Sequence, residues 1–354
     1  MRWPAALLLM LAMTAQARAQ TAAWLGDWRP APLADLAATP PDVVVSPGDS
    51  LQAAIDALPA AGKAPAGRRW VVQIRPGVYR GPLCIRDKAP LALVGSPLDA
   101  AAVVLVDGRH AGQSKDPSQA AHPCVPELGK PGVGTAASTT VAVFSDDVQL
   151  LHLTIANDAM DGVRDGRGYG EGAGESGGAQ AVALTLAGDR LQLEGVRLLG
   201  HQDTLFARRR TPEAPGRQLI RHSLVAGDVD FIFGDASLVI EHSTVLSRAG
   251  RRTPGHGGIV LAPSTTPAEP HGFLVTHSRF VAEPGLAPGS VALGRAWDAG
   301  VKPGTWQAGS SPNGQALVRD CELGAHIGPW AASTSRRPFD PTVNRLSEQD
   351  NTRP

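Results

Sequence analysis

The sequence predicts an all-β solenoid, a stack of short coils built from strands and turns. Three observations predict it. After about residue 58, almost every apolar segment is short and alternating. Gly (40 residues) and Pro (30 residues) punctuate these segments, which favours short strands joined by turns. A unit also recurs: Leu219-Ile220-Arg221-His222-Ser223-Leu224-Val225 is matched by Val239-Ile240-Glu241-His242-Ser243-Thr244-Val245 and Leu274-Val275-Thr276-His277-Ser278-Arg279-Phe280, with Leu317 to Leu323 a looser copy. The first two copies are 20 residues apart, and the later gaps of 35 and 43 leave room for insertions. A repeat of this length without long helices indicates stacked β coils, each burying its inward residues against its neighbours. A β-sandwich would explain the alternation but not the repeated His-Ser corner.

The elements follow in order. Met1 to Pro4 is basic, Ala5 to Met13 is apolar, and Ala17-Arg18-Ala19 is a small-x-small cleavage pattern. Residues 1–19 therefore read as a secretory signal peptide, leaving a mature chain from Gln20, in the periplasm or outside the cell. The apolar run is too short to span a bilayer, and no Cys follows it, so no membrane anchor is expected. Residues 20–42 form a lead segment, 43–338 the solenoid domain and 339–354 a polar tail covering one end. Within the domain, Ser50 to Leu58 reads as a helix capped by Ser50, with Leu51, Ile55 and Leu58 on one side. Trp70 to Ile74, Val103 to Val106 and Ala181 to Leu184 read as strands. The glycine-rich stretch Asp165 to Gly178 reads as a loop leaving the solenoid.

Charge narrows the partners. The 33 basic and 33 acidic residues balance, which gives no electrostatic case for nucleic acid or anionic lipid. A polyanion would have to be recognised locally, at neutral, esterified sugars. A monomer is expected. Of the three cysteines, Cys84 and Cys124 are nearer in sequence than either is to Cys321. One disulfide and free buried thiols both remain open. No Cys/His spacing matches zinc.

Three strings look catalytic without the context they need. Gly48-Asp49-Ser50-Leu51 matches a serine-esterase motif, but Ser50 opens a helix and no Asp-x-x-His follows near the C-terminus. Gly174-Glu175-Ser176-Gly177-Gly178 matches a nucleophile elbow, which requires a strand before and a helix after; here a glycine loop precedes it. Gly255-His256-Gly257 occurs in polygalacturonases, but the Asn-Thr-Asp and Arg-Ile-Lys segments found there are absent.

Polar residues embedded in strand-like sequence carry the chemistry. They are Gln180 before Ala181-Val182-Ala183-Leu184, Gln202 and Asp203 in Gly200-His201-Gln202-Asp203-Thr204-Leu205, Asp230 in Val229-Asp230-Phe231-Ile232-Phe233-Gly234, and Arg295 with Trp297 in Leu293-Gly294-Arg295-Ala296-Trp297. Gln180 to Gln202 is 22 residues and Asp203 to Asp230 is 27, about one coil each. These side chains then lie on adjacent rungs, ~4.8 Å apart, and Arg295 and Trp297 share one strand face. Asp230, flanked by apolar residues, needs a partner, and Arg295 is the obvious one; a purely structural Asp–Arg pair is the plainer reading.

These four motifs, in this order, resemble the pectin methylesterase (pectinesterase) family, bacterial branch. Leu51 to Asp56, Arg75 to Tyr79 and Gly258 to Thr265 fit as well, and the resemblance runs from about residue 43 to 330. His201 stands where Tyr is common and Ala296 where Pro is common. The resemblance implies a right-handed parallel β-helix and the demethylation of pectin (methyl-esterified homogalacturonan), with release of methanol. It implies Asp230 as nucleophile, Asp203 as general acid and base, Arg295 holding Asp230 ionised, and Gln180 and Gln202 donating to the oxyanion. It also implies substrate contacts at Trp297, Thr140 and Phe231, and no metal or organic cofactor. A thioesterase or other small-ester hydrolase on the same site, and a non-catalytic glycan-binding solenoid, are the alternatives.

Overall fold

The computed structural model describes residues 21–116, 118, 121–125 and 131–354; the expected signal peptide, residues 1–19, lies outside them. Short strands follow one another in a fixed order around each coil and pair in parallel with their counterparts one coil away. Among the described residues this gives three parallel sheets, of ten, eight and eight strands. The fold is the expected right-handed parallel β-helix.

One coil shows the rule. Val229–Gly234 lies in one eight-stranded sheet, called the site sheet below. Ser237–Glu241 follows in the ten-stranded sheet, and Thr244–Ser247 in the third sheet. Between the last two strands the chain turns on His242, whose φ is 51°, and on Ser243. His222, His277 and Asp320 occupy the same left-handed conformation at their corners, with φ of 45°, 49° and 52°. The serines explain the rest of the repeat. The amide of Ser223 donates to Oγ of Ser243 (3.2 Å), and the amide of Ser243 to Oγ of Ser278 (3.1 Å). A sharp corner frees backbone amides, and buried amides need partners; a hydroxyl on the next coil supplies each one.

The interior follows from the register. Leu93, Leu150, Leu193, Ile220, Ile240, Val275 and Val318 stand in one column through seven coils. All are buried, and each contributes about 1.5–3 kcal/mol by leaving water. The helix Leu51–Asp56 packs Leu51 and Ile55 onto this core, and the amide of Ala53 donates to Ser50 Oγ at 3.1 Å. Ser50 is thus a helix cap. Ser50→Ala is expected to cost about 1 kcal/mol, read by denaturant unfolding.

Some boundaries differ from expectation. The strand expected over Ala181 to Leu184 runs over Leu184–Leu186, so Gln180 lies in the turn before it. The lead segment packs Trp24, Leu25 and Trp28 on Leu219, Val239 and Leu274 of the ten-stranded sheet. Gln149 and Gln192 fasten it by donating to the carbonyls of Pro32 and Ala31. Arg345–Gln349 in the tail is the last strand of the same sheet, beside Gln315–Arg319. Cys84 and Cys124 form a disulfide with a Cα separation of 5.2 Å, and Cys321 is a buried free thiol. Among the described residues no helix is long and apolar enough to cross a membrane.

Candidate active site

The site sheet brings the singled-out polar residues to its outer face. Leu184 pairs with Leu205, and Leu205 with Ile232, so Asp203 and Asp230 lie at the entries to neighbouring strands. The amide of Ala181 donates to the carbonyl of Gln202 (3.0 Å) and that of Asp203 to the carbonyl of Val229 (3.0 Å). Gln180, Gln202, Asp203 and Asp230 therefore descend three successive coils. Leu261 stands between Ile232 and Gly294, so Arg295 reaches back over one intervening strand to meet Asp230.

Both carboxyl residues sit in the left-handed region, with φ of 67° at Asp203 and 48° at Asp230. Asp tolerates this conformation better than most residues, but it still costs about 1–3 kcal/mol each. The strand Val229–Gly234 gains a bulge here: its register with the next strand shifts between Val229 and Ile232. A bulge re-aims side chains, and this one lifts Asp230 outward while Phe231 and Ile232 both turn into the core. Gly227 makes the room, because a Cβ there would stand 2.2 Å from the Cβ of Phe231.

The two carboxyls differ in surroundings. Arg295 grips Asp230 with two donors, Nε to Oδ1 at 2.9 Å and Nη2 to Oδ2. Asp203 makes no side-chain hydrogen bond among the described residues. Burial, and then the negative charge of Asp230, push its carboxyl well above the ordinary value of 3.8, with Arg295 and Arg251 only partly offsetting this. The arrangement is one carboxyl gripped and aimed by an arginine, beside one carboxyl whose surroundings favour the protonated form. The side-chain amides of Gln180 and Gln202 make no hydrogen bond among the described residues, which leaves their donors available at the mouth of the site.

Trp297 stands on an aromatic platform. Phe206 and Phe233 stack at 4.4 Å, and Trp297 meets both edge-on at 6.0 and 5.5 Å. The 27-residue spacing that links Asp203 to Asp230 also links Phe206 to Phe233, so this pair was readable from the sequence. Two expected contacts are corrected. Phe231 is fully buried in the solenoid core, because the bulge at Asp230 turns it inward; Phe233 takes the outward place. Thr140 is also fully buried, and its hydroxyl donates to the carbonyl of Ala156 at 2.8 Å, which leaves nothing for a substrate. A second network was not expected from the sequence: His201, Asp228, Arg251 and Asp161 are bonded together behind the carboxyl pair. Residues Gly174 to Gly178 lie in turns of the glycine-rich excursion, and His256 is exposed and bonded to Glu175.

Residues 130–300 match the family model described as Pectinesterase. Over 313 residues the chain is 34% identical to a pectinesterase of Ralstonia solanacearum, covering 86% of this chain and 76% of that protein. The chain belongs to the pectinesterase family. That places it among carboxylic ester hydrolases. The structure of a rice weevil pectin methyl esterase superposes with a TM-score of 0.78 at 26% identity, covering 94% of this chain and 93% of that one. The crystal structure of Escherichia coli YbhC, a protein named for acyl-CoA thioester hydrolysis, superposes with a TM-score of 0.74 at 26% identity, covering 92% and 88%. Proteins of this fold thus bear more than one name for their chemistry.

Proposed function

We propose that the protein demethylates methyl-esterified homogalacturonan with Asp230 as nucleophile and Asp203 as general acid and base. One observation carries this reading: a buried carboxyl, whose burial and charged neighbour favour its protonated form, lies one coil from a carboxyl clamped by Arg295. Two neighbouring carboxyls in such different surroundings suit a division into nucleophile and acid.

An oxygen of Asp230 attacks the C6 ester carbonyl, and the carbonyl π pair moves onto oxygen. The amides of Gln180 and Gln202 donate to that oxyanion. As it collapses, the bond to the methoxy oxygen breaks, and the proton of Asp203 passes to this oxygen, giving methanol. An acyl-enzyme anhydride remains on Asp230. Asp203, now ionised, takes a proton from water while the water oxygen attacks the same carbonyl. Collapse releases Asp230 as a carboxylate and the sugar as its acid, which ionises in solvent. Arg295 holds and aims Asp230 before attack through its two donors. The Cys84–Cys124 disulfide fits export to an oxidising compartment, where a plant polymer is met.

The likeness to YbhC favours thioester hydrolysis as a second reading. Methanol release from methylated pectin, compared with thiol release from an acyl-CoA, separates the two. Methanol release with negligible thiol release supports the proposal; the reverse overturns it.

Trp297 is assigned to the sugar. A partly exposed indole on a packed aromatic base offers a flat face, and stacking acts in ground and transition states alike. Trp297→Ala is expected to raise KM for methylated pectin several-fold, by about 1 kcal/mol of lost stacking, with a smaller effect on kcat. On a small methyl ester without a sugar the defect should shrink. Equal fractional losses on both substrates would instead assign Trp297 to shaping the carboxyl pair.

A further inference from the structure

The residues two positions before Asp203 and Asp230 are bonded to each other. His201 is fully buried and sets Nδ1 3.2 Å from Oδ2 of Asp228, while its Nε2 lies 2.9 Å from Oδ1 of Asp161. Backbone bonds run alongside, from the amide of Asp228 to the carbonyl of His201 at 3.1 Å. Arg251, from the loop after Thr244–Ser247, donates Nε and Nη2 to the two oxygens of Asp228, the latter at 2.7 Å. Arg248 donates to the carbonyl of Gly200 at 2.8 Å and stands 3.4 Å from Asp161.

Two carboxyls with lowered pKa flank the ring. Burial opposes charge on Asp228, but hydrogen bonds from His201 and Arg251 outweigh it and hold that carboxyl at about 2. The carboxyl of Asp161 is likewise lowered, with burial opposed by His201, Arg248 and Arg164. Ionised carboxylates only accept. Each ring nitrogen of His201 thus faces an oxygen of one of these two carboxyls.

Its two ends lead to different places. Nδ1 joins the coil of Asp203 to the coil of Asp230. Nε2 reaches Asp161, which opens the short helix Asp161–Arg164 at the root of the glycine-rich excursion. That excursion is fastened elsewhere too, through Arg164 to Glu283 at 2.7 Å and through Tyr169 to the carbonyl of Arg251 at 3.1 Å. We propose that His201 is a positioning residue: through Nδ1 it sets the spacing of the two carboxyls, and through Nε2 it holds the excursion as a wall beside them. The first role rests on the esterase reading; the second does not.

Two substitutions separate the ends, because an Asn amide places its NH2 near the Nδ1 position and a Gln amide near the Nε2 position. His201→Gln, which gives up the Asp228 bond, is expected to lower kcat about tenfold on methylated pectin and on a small methyl ester alike, with trypsin cleavage after the exposed Arg167 as slow as in the parent protein. His201→Asn and Asp161→Ala give up the Asp161 bond. Both are expected to speed that cleavage about tenfold and to raise KM for the polymer more than they lower kcat. Equal losses from His201→Gln and His201→Asn on both readouts overturn the proposal, as does Asp161→Ala with unchanged cleavage. Should either His201 variant fail to fold by circular dichroism, Asp161→Ala decides, since that side chain is half exposed. A parent protein that releases no methanol overturns the esterase reading, and the trypsin result still judges the Asp161 end.

Discussion

Asp230→Asn is expected to lower kcat for methanol release by roughly four to six orders of magnitude, with the coil intact. The amide keeps the size of the carboxyl and one acceptor oxygen for Arg295, so the clamp at 2.9 Å loses its charge but not its place. It cannot form the anhydride. The measurement is methanol release by the folded variant, with folding read by circular dichroism. Near-normal turnover would remove Asp230 from the nucleophile's role. The same mechanism predicts that a serine-directed organophosphate leaves the enzyme active. Ser50 caps a helix and Ser176 lies in an excursion turn, and among the described residues neither hydroxyl is hydrogen-bonded to a histidine or a carboxylate. Labelling of either serine with matching loss of activity would point to another chemistry.

Asp203→Asn is expected to lose about 10²–10⁴ in kcat and to gain stability. The two effects share one cause. In the folded chain, burial and the charge of Asp230 raise the carboxyl well above 3.8, so the native state holds a proton that the unfolded chain releases. The unfolded state then binds fewer protons, and stability falls as pH rises from the ordinary carboxyl value to the raised one. Asn never ionises and escapes that cost. The variant should melt higher than the parent at pH 7, and the gap should close as pH falls below 3.8, where both carboxyl states are protonated. Thermal melts across pH check this. A gap that persists in acid would trace the stabilisation to packing. Activity of the parent should fall on the alkaline side as Asp203 loses its proton.

The coil architecture was legible because stacking writes itself into the chain. A corner that must turn left-handed and satisfy a freed amide selects His-Ser again and again, and the repeat spacing sets the rung. The carboxyl pair and its arginine were legible for a related reason, since ionisable groups inside apolar strands need partners. What escaped was local direction. The bulge at Asp230 breaks the two-residue alternation, so Phe231 points inward and Phe233 outward, against simple strand parity. Thr140 matched a family position, but its direction is set by the carbonyl of Ala156, further round the same coil. His201 and Asp228 share the 27-residue spacing of the carboxyl pair, but the rest of the network was hidden, because Asp161 and Arg251 come from the excursion root and a loop whose paths no periodicity encodes.

The site is also distributed along the time axis of synthesis. Gln180, the Gln202–Asp203 turn, Asp230 and Arg295 belong to different coils, and Arg295 lies two coils beyond Asp230. In a stack where each coil contacts only its neighbours, a chain can fold most of its length and still lack the arginine that aims its carboxylate. A ribosome or an export channel that has released the chain only as far as residue 290 holds a partly wound, chemically idle rod. On the proposed mechanism hydrolytic competence arrives with the last few coils, so a chain whose final 64 residues are kept from winding stays silent.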